Sequence, residues 1–233
     1  MSGFPYLSPD EFIRFPNPAK AAGDVVAFSG NLSPGMLISA YLQGIFPWYN
    51  EGEPILWQSP DPRFVLFPEK LHVSQSMRKI LRQGVFDICF DTAFSQVIRN
   101  CAETTRKGQD GTWLTAEMIN AYCEMHRLGY AHSAEAWQDG RLAGGCYGIL
   151  LGPQGKRLSL NGDSGGVFFG ESMFAHKPNA SKAAFLTLAQ KLFAQNIAFI
   201  DCQVWTVHLA SLGGESLSRN AYLQLLFTHL GKP

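Results

Sequence analysis

The pattern of hydrophobic and polar positions changes along the chain near residue 74. Before it, proline, aromatic and turn residues surround one clear helix, with Ser33 as N-cap, Pro34 in the first turn and Gly44 as the stop. Two irregular runs follow, Phe46-Pro47-Trp48-Tyr49-Asn50 and Trp57-Gln58-Ser59-Pro60-Asp61-Pro62-Arg63, whose prolines forbid a continuous helix or a central strand. This predicts a small N-terminal domain over residues 1–70 and a second domain over residues 71–233. The second part alternates. It opens with a basic amphipathic helix (74–83), a strand (85–90), a helix capped near Asp91 (92–102) and a helix over 115–128. Strands at 130–137 and 141–151 meet across Gln138-Asp139-Gly140, where Asp-Gly marks a hairpin. A glycine-rich loop (152–166), with a short strand at 157–160, leads to a strand at 167–174. Asn179 then caps a long apolar helix, a strand follows at 198–204, and a helix closes the chain. Helices before and after a mostly antiparallel sheet, with one helix-to-strand return, make this an α+β protein.

Two segments place polar groups inside apolar, strand-like sequence. Glu171 stands among Phe168, Phe169, Met173 and Phe174, which fall on both faces of their strand and so predict cover on both sides. Asp201 and Gln203, two apart in Phe199-Ile200-Asp201-Cys202-Gln203-Val204, share one face of a regular strand. Buried polar groups need partners or a ligand. An aspartate that orients an amide, whose oxygen then receives an amine, suits acyl transfer. The same spacing equally fits two residues that end a strand at the surface, as Glu171 fits an edge strand facing water.

Composition narrows the function classes. Of the 233 residues, 19 are Lys or Arg and 19 Asp or Glu, so a nucleic-acid partner has no global basic field and needs a local patch. Arg78, Lys79 and Arg82, on the helix whose apolar face is Met77, Ile80 and Leu81, form one, with Arg99, Arg106 and Lys107 after it. Pro5, Pro9, Pro16 and Pro18 interrupt the first 20 residues, unlike a signal peptide, and the longest apolar run (142–152) is about half a membrane span. A soluble, cytoplasmic protein is expected. Five dispersed cysteines give neither a disulfide framework nor a zinc knuckle. No metal-ligand spacing or nucleophile elbow occurs; His132 reads as structural and His208 lies in a polar segment near Ser211. No metal or cofactor is expected. Trp48 and Trp113, bulky side chains in loops, are candidate pocket liners beside the packing residues Trp57 and Trp137.

An ordered series of motifs then carries a resemblance. Leu32-Ser33-Pro34, Gly44-Ile45-Phe46-Pro47-Trp48, Ser59-Pro60-Asp61-Pro62-Arg63, Gly111-Thr112-Trp113, His132-Ser133 with Glu135 and Trp137, Gly144-Gly145 with Tyr147-Gly148, Gly170-Glu171-Ser172-Met173-Phe174, Asn179-Ala180-Ser181-Lys182, Asp201-Cys202-Gln203 and Ser211-Leu212-Gly213 together resemble the bacterial leucyl/phenylalanyl-tRNA protein transferases over essentially the whole chain. The resemblance implies an N-acetyltransferase-like domain beside the small N-terminal one. It implies transfer of leucine or phenylalanine from aminoacyl-tRNA to the N-terminal arginine or lysine of acceptor proteins, which marks them for degradation. It also implies site residues: Asp201 and Gln203 as the catalytic pair, Glu171 holding a substrate, and Trp48 and Trp113 gripping the terminal adenosine. Cys146, Ser181, Phe185, Leu188 and Leu192 would line the side-chain pocket, and Arg78, Lys79 and Arg82 would touch the tRNA acceptor stem. Cys146, Phe185 and Leu188 depart from the familiar side chains at their positions, which reshapes the expected pocket. An acyl-CoA-dependent N-acetyltransferase is the first alternative, but its pyrophosphate turn would be His176-Lys177-Pro178-Asn179-Ala180-Ser181, which has no glycine. A non-enzymatic tRNA-binding module, the second, would not need Glu171, Asp201 and Gln203 together.

Overall fold

The computed structural model describes residues 4–104 and 114–233, so Trp113, Arg106 and Lys107 lie outside the described residues. The first stretch folds as β1 (Val25–Phe28), α1 (Pro34–Leu42), β2 (Phe46–Pro47), β3 (Leu56–Gln58) and β4 (Arg63–Leu66). Pro34 presets the start of α1, and Gly44 follows its end at φ +73°, a conformation glycine adopts without a Cβ clash. Ser33 holds the N-cap position, yet its hydroxyl accepts from the Leu7 amide (3.0 Å) and makes no capping bond. Every residue of α1 is buried. Strands β1, β3 and β2 form a small antiparallel sheet in that order. None was expected, because strands of two to four residues between prolines are too short to show a period.

The chain continues as α2 (Gln75–Arg82), β5 (Asp87–Phe90), α3 (Phe94–Glu103), α4 (Ala116–Arg127), β6 (Ala131–Gln138) and β7 (Arg141–Leu151). It ends with β8 (Val167–Ala175), α5 (Ala180–Ala194), β9 (Ile200–Asp201), α6 (Val207–Ser211), β10 (Glu215–Leu217) and α7 (Arg219–Leu230). A seven-stranded sheet runs β10-β4-β9-β8-β7-β6-β5. Its neighbours are antiparallel except β8 and β9, a parallel pair whose connection is α5. The protein is therefore α+β, with a mixed sheet flanked by helices. Strand β4, although within the first 70 residues, belongs to this large sheet, and Tyr41, Leu42 and Trp57 share a core with Phe169 and Tyr222.

The sheet is covered on both faces. Phe168, Cys146 and Leu150 enter one core with Phe185, Leu188 and Leu192 of α5, while Phe169, Tyr147 and Ile149 enter the other with Tyr41, Val97 and Tyr122. Adjacent residues of β8 thus feed opposite cores, which accounts for its unbroken apolar run. Among the described residues no helix is long and apolar enough to cross a membrane.

Three elements differ from expectation. Helix α3 starts at Phe94, uncapped by Asp91, whose carboxylate instead accepts from the Ser133 amide (2.9 Å) and meets His132 Nδ1 (2.8 Å). Residues 157–160 contribute one bridge, Leu151–Arg157, and no strand. The strand expected over 198–204 is regular only at Ile200–Asp201; Cys202 and Gln203 still bond to the backbone of Phe64, but Gln203 turns to φ +56°.

Candidate active site

The site is assembled where β8 and β9 run side by side beneath α1. Gly144 on β7 lets the start of α5 come close, since a Cβ there would lie 2.8 Å from the Ser181 amide nitrogen. A cavity of about 330 Å³ opens among Trp48 after β2, Cys146 of β7, the Gly170–Met173 stretch of β8, Phe185 of α5 and the segment from Cys202 to Leu209. Its inner wall is apolar: Cys146, Phe168, Met173, Phe185 and Leu209. Burial pushes the Cys146 thiol pKa up, so this sulfur is a small neutral wall group rather than a nucleophile.

Glu171 is the acid of that wall. Its Oε1 lies 2.7 Å from the Tyr41 hydroxyl and its Oε2 3.0 Å from the Tyr122 hydroxyl, and the two phenols are 2.5 Å from each other. Gln203 Nε2 donates to Oε1 at 3.1 Å. Tyr41 donates to Oε1 and Tyr122 to Oε2, and the short contact between the two hydroxyls closes a ring around a carboxylate that accepts three hydrogen bonds. Burial pushes the Glu171 pKa up to about 7, against the opposing pull of the tyrosine hydrogen bonds. Burial and the neighbouring Glu171 charge hold both phenol pKa values well above the usual tyrosine range, so the phenols stay protonated.

Asp201 lies behind this wall and is fully buried. Arg63 grips it with two bonds, Nε to Oδ1 at 2.8 Å and Nη2 to Oδ2 at 2.6 Å, and the Tyr222 hydroxyl donates to Oδ2 at 2.7 Å. The guanidinium sits between two rings, 4.7 Å from the Phe46 centroid and 4.5 Å from that of Tyr222, and Nη1 donates to the Gly44 carbonyl. Burial opposes the charge on Arg63, but the Asp201 carboxylate outweighs it and raises the Arg63 pKa. The remaining Asp201 contact is Oδ1 accepting from the Gln203 amide at 2.9 Å. Gln203 has φ +56°, a left-handed conformation that a glutamine rarely holds without such a tie. Asp201 therefore acts on the cavity through the backbone of Gln203, and the two side chains do not lie together on one strand face.

Of the other expected residues, Trp48, Cys146 and Phe185 line the cavity. Ser181, Leu188 and Leu192 are not in its wall; both leucines are fully buried in the core beneath it, and Ser181 is in the first turn of α5. Asn179 precedes that helix at φ +69° with no side-chain cap. Arg78, Lys79 and Arg82 project into solvent from α2, and Arg78 Nε donates to the Val73 carbonyl (2.9 Å). Among the described residues no group of three or more His, Cys, Asp or Glu side chains is placed to hold a metal ion. No role for Tyr41, Tyr122, Tyr222 or Arg63 follows from the sequence alone. Two could have been sought: Arg63 opens the apolar strand Arg63-Phe64-Val65-Leu66, and Tyr122 continues the stripe Met118, Tyr122, Met125, so each is a polar group on a buried face.

The family model for leucyl/phenylalanyl-tRNA protein transferase matches residues 65–227, and that for the N-terminal domain of the same proteins matches residues 30–61. A leucyl/phenylalanyl-tRNA–protein transferase of Myxococcus xanthus (strain DK1622) is 48% identical over 230 residues, 98% of this chain and 93% of that one. One from Desulfatibacillum aliphaticivorans is 48% identical over 230 residues with the same coverage. A solved ribosomal-protein-alanine N-acetyltransferase of Brucella melitensis biovar Abortus 2308 is similar at TM-score 0.35 and 17% identity, over 60% of this chain and 89% of that one, a likeness too slight to bear on fold or function.

Proposed function

The chain belongs to the leucyl/phenylalanyl-tRNA protein transferase family, and on that premise we propose how its cavity moves leucine or phenylalanine from aminoacyl-tRNA to the N-terminus of an acceptor protein. An aminoacyl ester is already activated, so the attack needs a positioned amine, a proton acceptor and a way to protonate the leaving oxygen. The observation that carries the reading is the closed ring at Glu171, a carboxyl poised near neutral pH on the cavity wall. Gln203 Oε1 receives the acceptor amine while its Nε2 stays on Glu171. The amine nitrogen bonds to the ester carbonyl carbon and passes its proton to Glu171; as the carbon–oxygen bond to the ribose breaks, Glu171 returns a proton to that oxygen. Asp201 is the positioning residue for Gln203.

Trp48, with Trp113, grips the terminal adenosine, and Cys146, Phe185 and Met173 surround the apolar side chain, with Ser181, Leu188 and Leu192 supporting them from α5. N-terminal arginine or lysine suits the acceptor side, because Glu171 is the one acid lining the cavity among the described residues. The same reading takes residues 1–70 as a small N-terminal domain, residues 71–233 as an N-acetyltransferase-like catalytic domain and the cytoplasm, where charged tRNA is made, as the place of action. Incubation with leucyl-tRNA and a peptide beginning with arginine is expected to extend that peptide by one leucine, read by mass. An unextended peptide, or acetyl transfer from acetyl-CoA in its place, overturns the proposal.

The tRNA itself is held from outside the cavity. Arg78→Ala with Lys79→Ala is expected to weaken tRNA binding by about tenfold at low salt and to reduce the slope of log affinity against log salt by about one per lost phosphate contact, with turnover at saturating tRNA unchanged. Filter binding across a salt series reads this. An unchanged slope removes α2 from the tRNA interface.

A further inference from the structure

Two amines meet in this transfer, the attacking amine of the acceptor and the donor's own α-amine, and each needs an acceptor. The side chains lining the cavity that can accept a hydrogen bond are Glu171, Ser172, Gln203, Thr206, His208 and Tyr147, the last already engaged within the protein. Glu171, held by Tyr41, Tyr122 and Gln203, takes the proton of the attacking amine in the reading above. Ser172 is engaged within the protein, and Thr206 Oγ1 accepts from the Leu209 amide (3.1 Å) at the start of α6. Gln203 Oε1 serves the attacking amine in the reading above. That leaves His208, whose Nε2 is shielded from solvent and has no hydrogen-bond partner. A buried polar atom without a partner is costly, and a ligand that supplies one gains from it.

The surroundings of His208 fix what that ligand offers. Burial, and secondly the charge of Lys182, lower its pKa, so the ring is neutral at neutral pH. With its proton on Nδ1, a neutral imidazole presents Nε2 as an acceptor. Its backbone is held by the Ser211 hydroxyl, which donates to the His208 carbonyl at 2.6 Å. Leu209, next to it in the chain, and Phe185 belong to the apolar lining of the same cavity. The donor's α-amine is attached to the carbon that carries the leucyl or phenylalanyl side chain, so a side chain held by that lining brings the amine into the cavity with it.

We propose that His208 is a specificity-determining residue that accepts a hydrogen bond from the free α-amine of the aminoacyl donor. The proposal rests on the transfer reading above, and its test separates the two. Kinetics with leucyl-tRNA and N-acetyl-leucyl-tRNA are compared for the wild type, His208→Ala and His208→Gln, with thermal melts to confirm folding. The wild type is expected to use the free donor well and the blocked one poorly. His208→Ala should raise KM for leucyl-tRNA roughly tenfold or more, leave KM for the acceptor peptide unchanged, and bring the two donors closer together. His208→Gln, which retains an acceptor oxygen, should recover part of the difference. An unchanged donor KM, an unchanged ratio of the two donors, or an effect on acceptor KM alone overturns the role of His208. Failure of the wild type to transfer leucine at all overturns the transfer reading instead, and equilibrium binding of leucyl-adenosine to wild type and His208→Ala then still decides whether His208 holds the donor: equal affinities overturn it, and weaker binding by His208→Ala supports it.

Discussion

Glu171→Gln is expected to lower turnover by about 10²- to 10³-fold while leaving tRNA affinity nearly unchanged, since a carboxamide keeps the shape of the ring but cannot take a proton from the amine. Wild-type turnover should rise with pH, close to tenfold per unit on the acid side, and level off above about pH 7, where Glu171 has lost its proton. The variant's residual rate should lack that limb. An acid limb that survives in Glu171→Gln assigns the ionisation to another group and removes Glu171 as the proton acceptor.

The same carboxyl affects stability, and in the opposite direction. Its pKa is raised from the ordinary 4.5 of a glutamate to about 7 on folding, so the folded protein holds this proton more tightly than the unfolded chain does. Its contribution is fully present below about pH 4.5 and is lost as pH rises through about 7, a change of order 3 kcal/mol at about 1.4 kcal/mol per unit. Glu171→Gln has no proton to lose there. Relative to wild type, the variant should gain about this amount between pH 5 and pH 8, measured by urea unfolding at both values. The residue that limits turnover would then also limit stability at working pH, a trade-off common to active sites that bury charge.

What the sequence made legible was the part governed by local chemistry. The hairpin at Asp139-Gly140, the long helix after Asn179 and the two-sided cover of β8 all follow from turn residues and apolar runs, and all are present. Glu171 and Gln203 stand out in the sequence because polar side chains interrupt apolar strands, and the fold brings them into contact. The relation of Asp201 to Gln203 was not legible. A period-two argument assumes regular strand geometry, and that geometry ends where Gln203 turns to a positive φ. Nor was the tyrosine ring, whose members are separated by 81 and 130 residues and come together only once α1, α4 and β8 pack. Spacing along a chain carries no information about such contacts. His208 has a different lesson: among neighbours as polar as Thr206 and Ser211 it stands out only when burial is known.

Arg63→Met is expected to destabilise the protein by about 3–5 kcal/mol, because it leaves the Asp201 carboxylate buried without its counter-ion. That is a large share of the roughly 5–15 kcal/mol by which domains are usually stable. Asp201→Leu alone should cost as much, stranding the guanidinium between Phe46 and Tyr222. Replacing both partners removes the uncompensated charge, so Arg63→Met with Asp201→Leu should recover most of the loss in urea unfolding. Turnover should not return with it. The Gln203 amide would have lost its acceptor, the Oδ1 of Asp201, and with it the tie that holds a left-handed backbone and presents the amide side chain to Glu171. A stable but inactive double variant separates the two effects of the ion pair, on folding and on the position of Gln203. A double variant that regains both stability and turnover would show that Gln203 keeps its place without Asp201, and that the buried pair serves the fold alone.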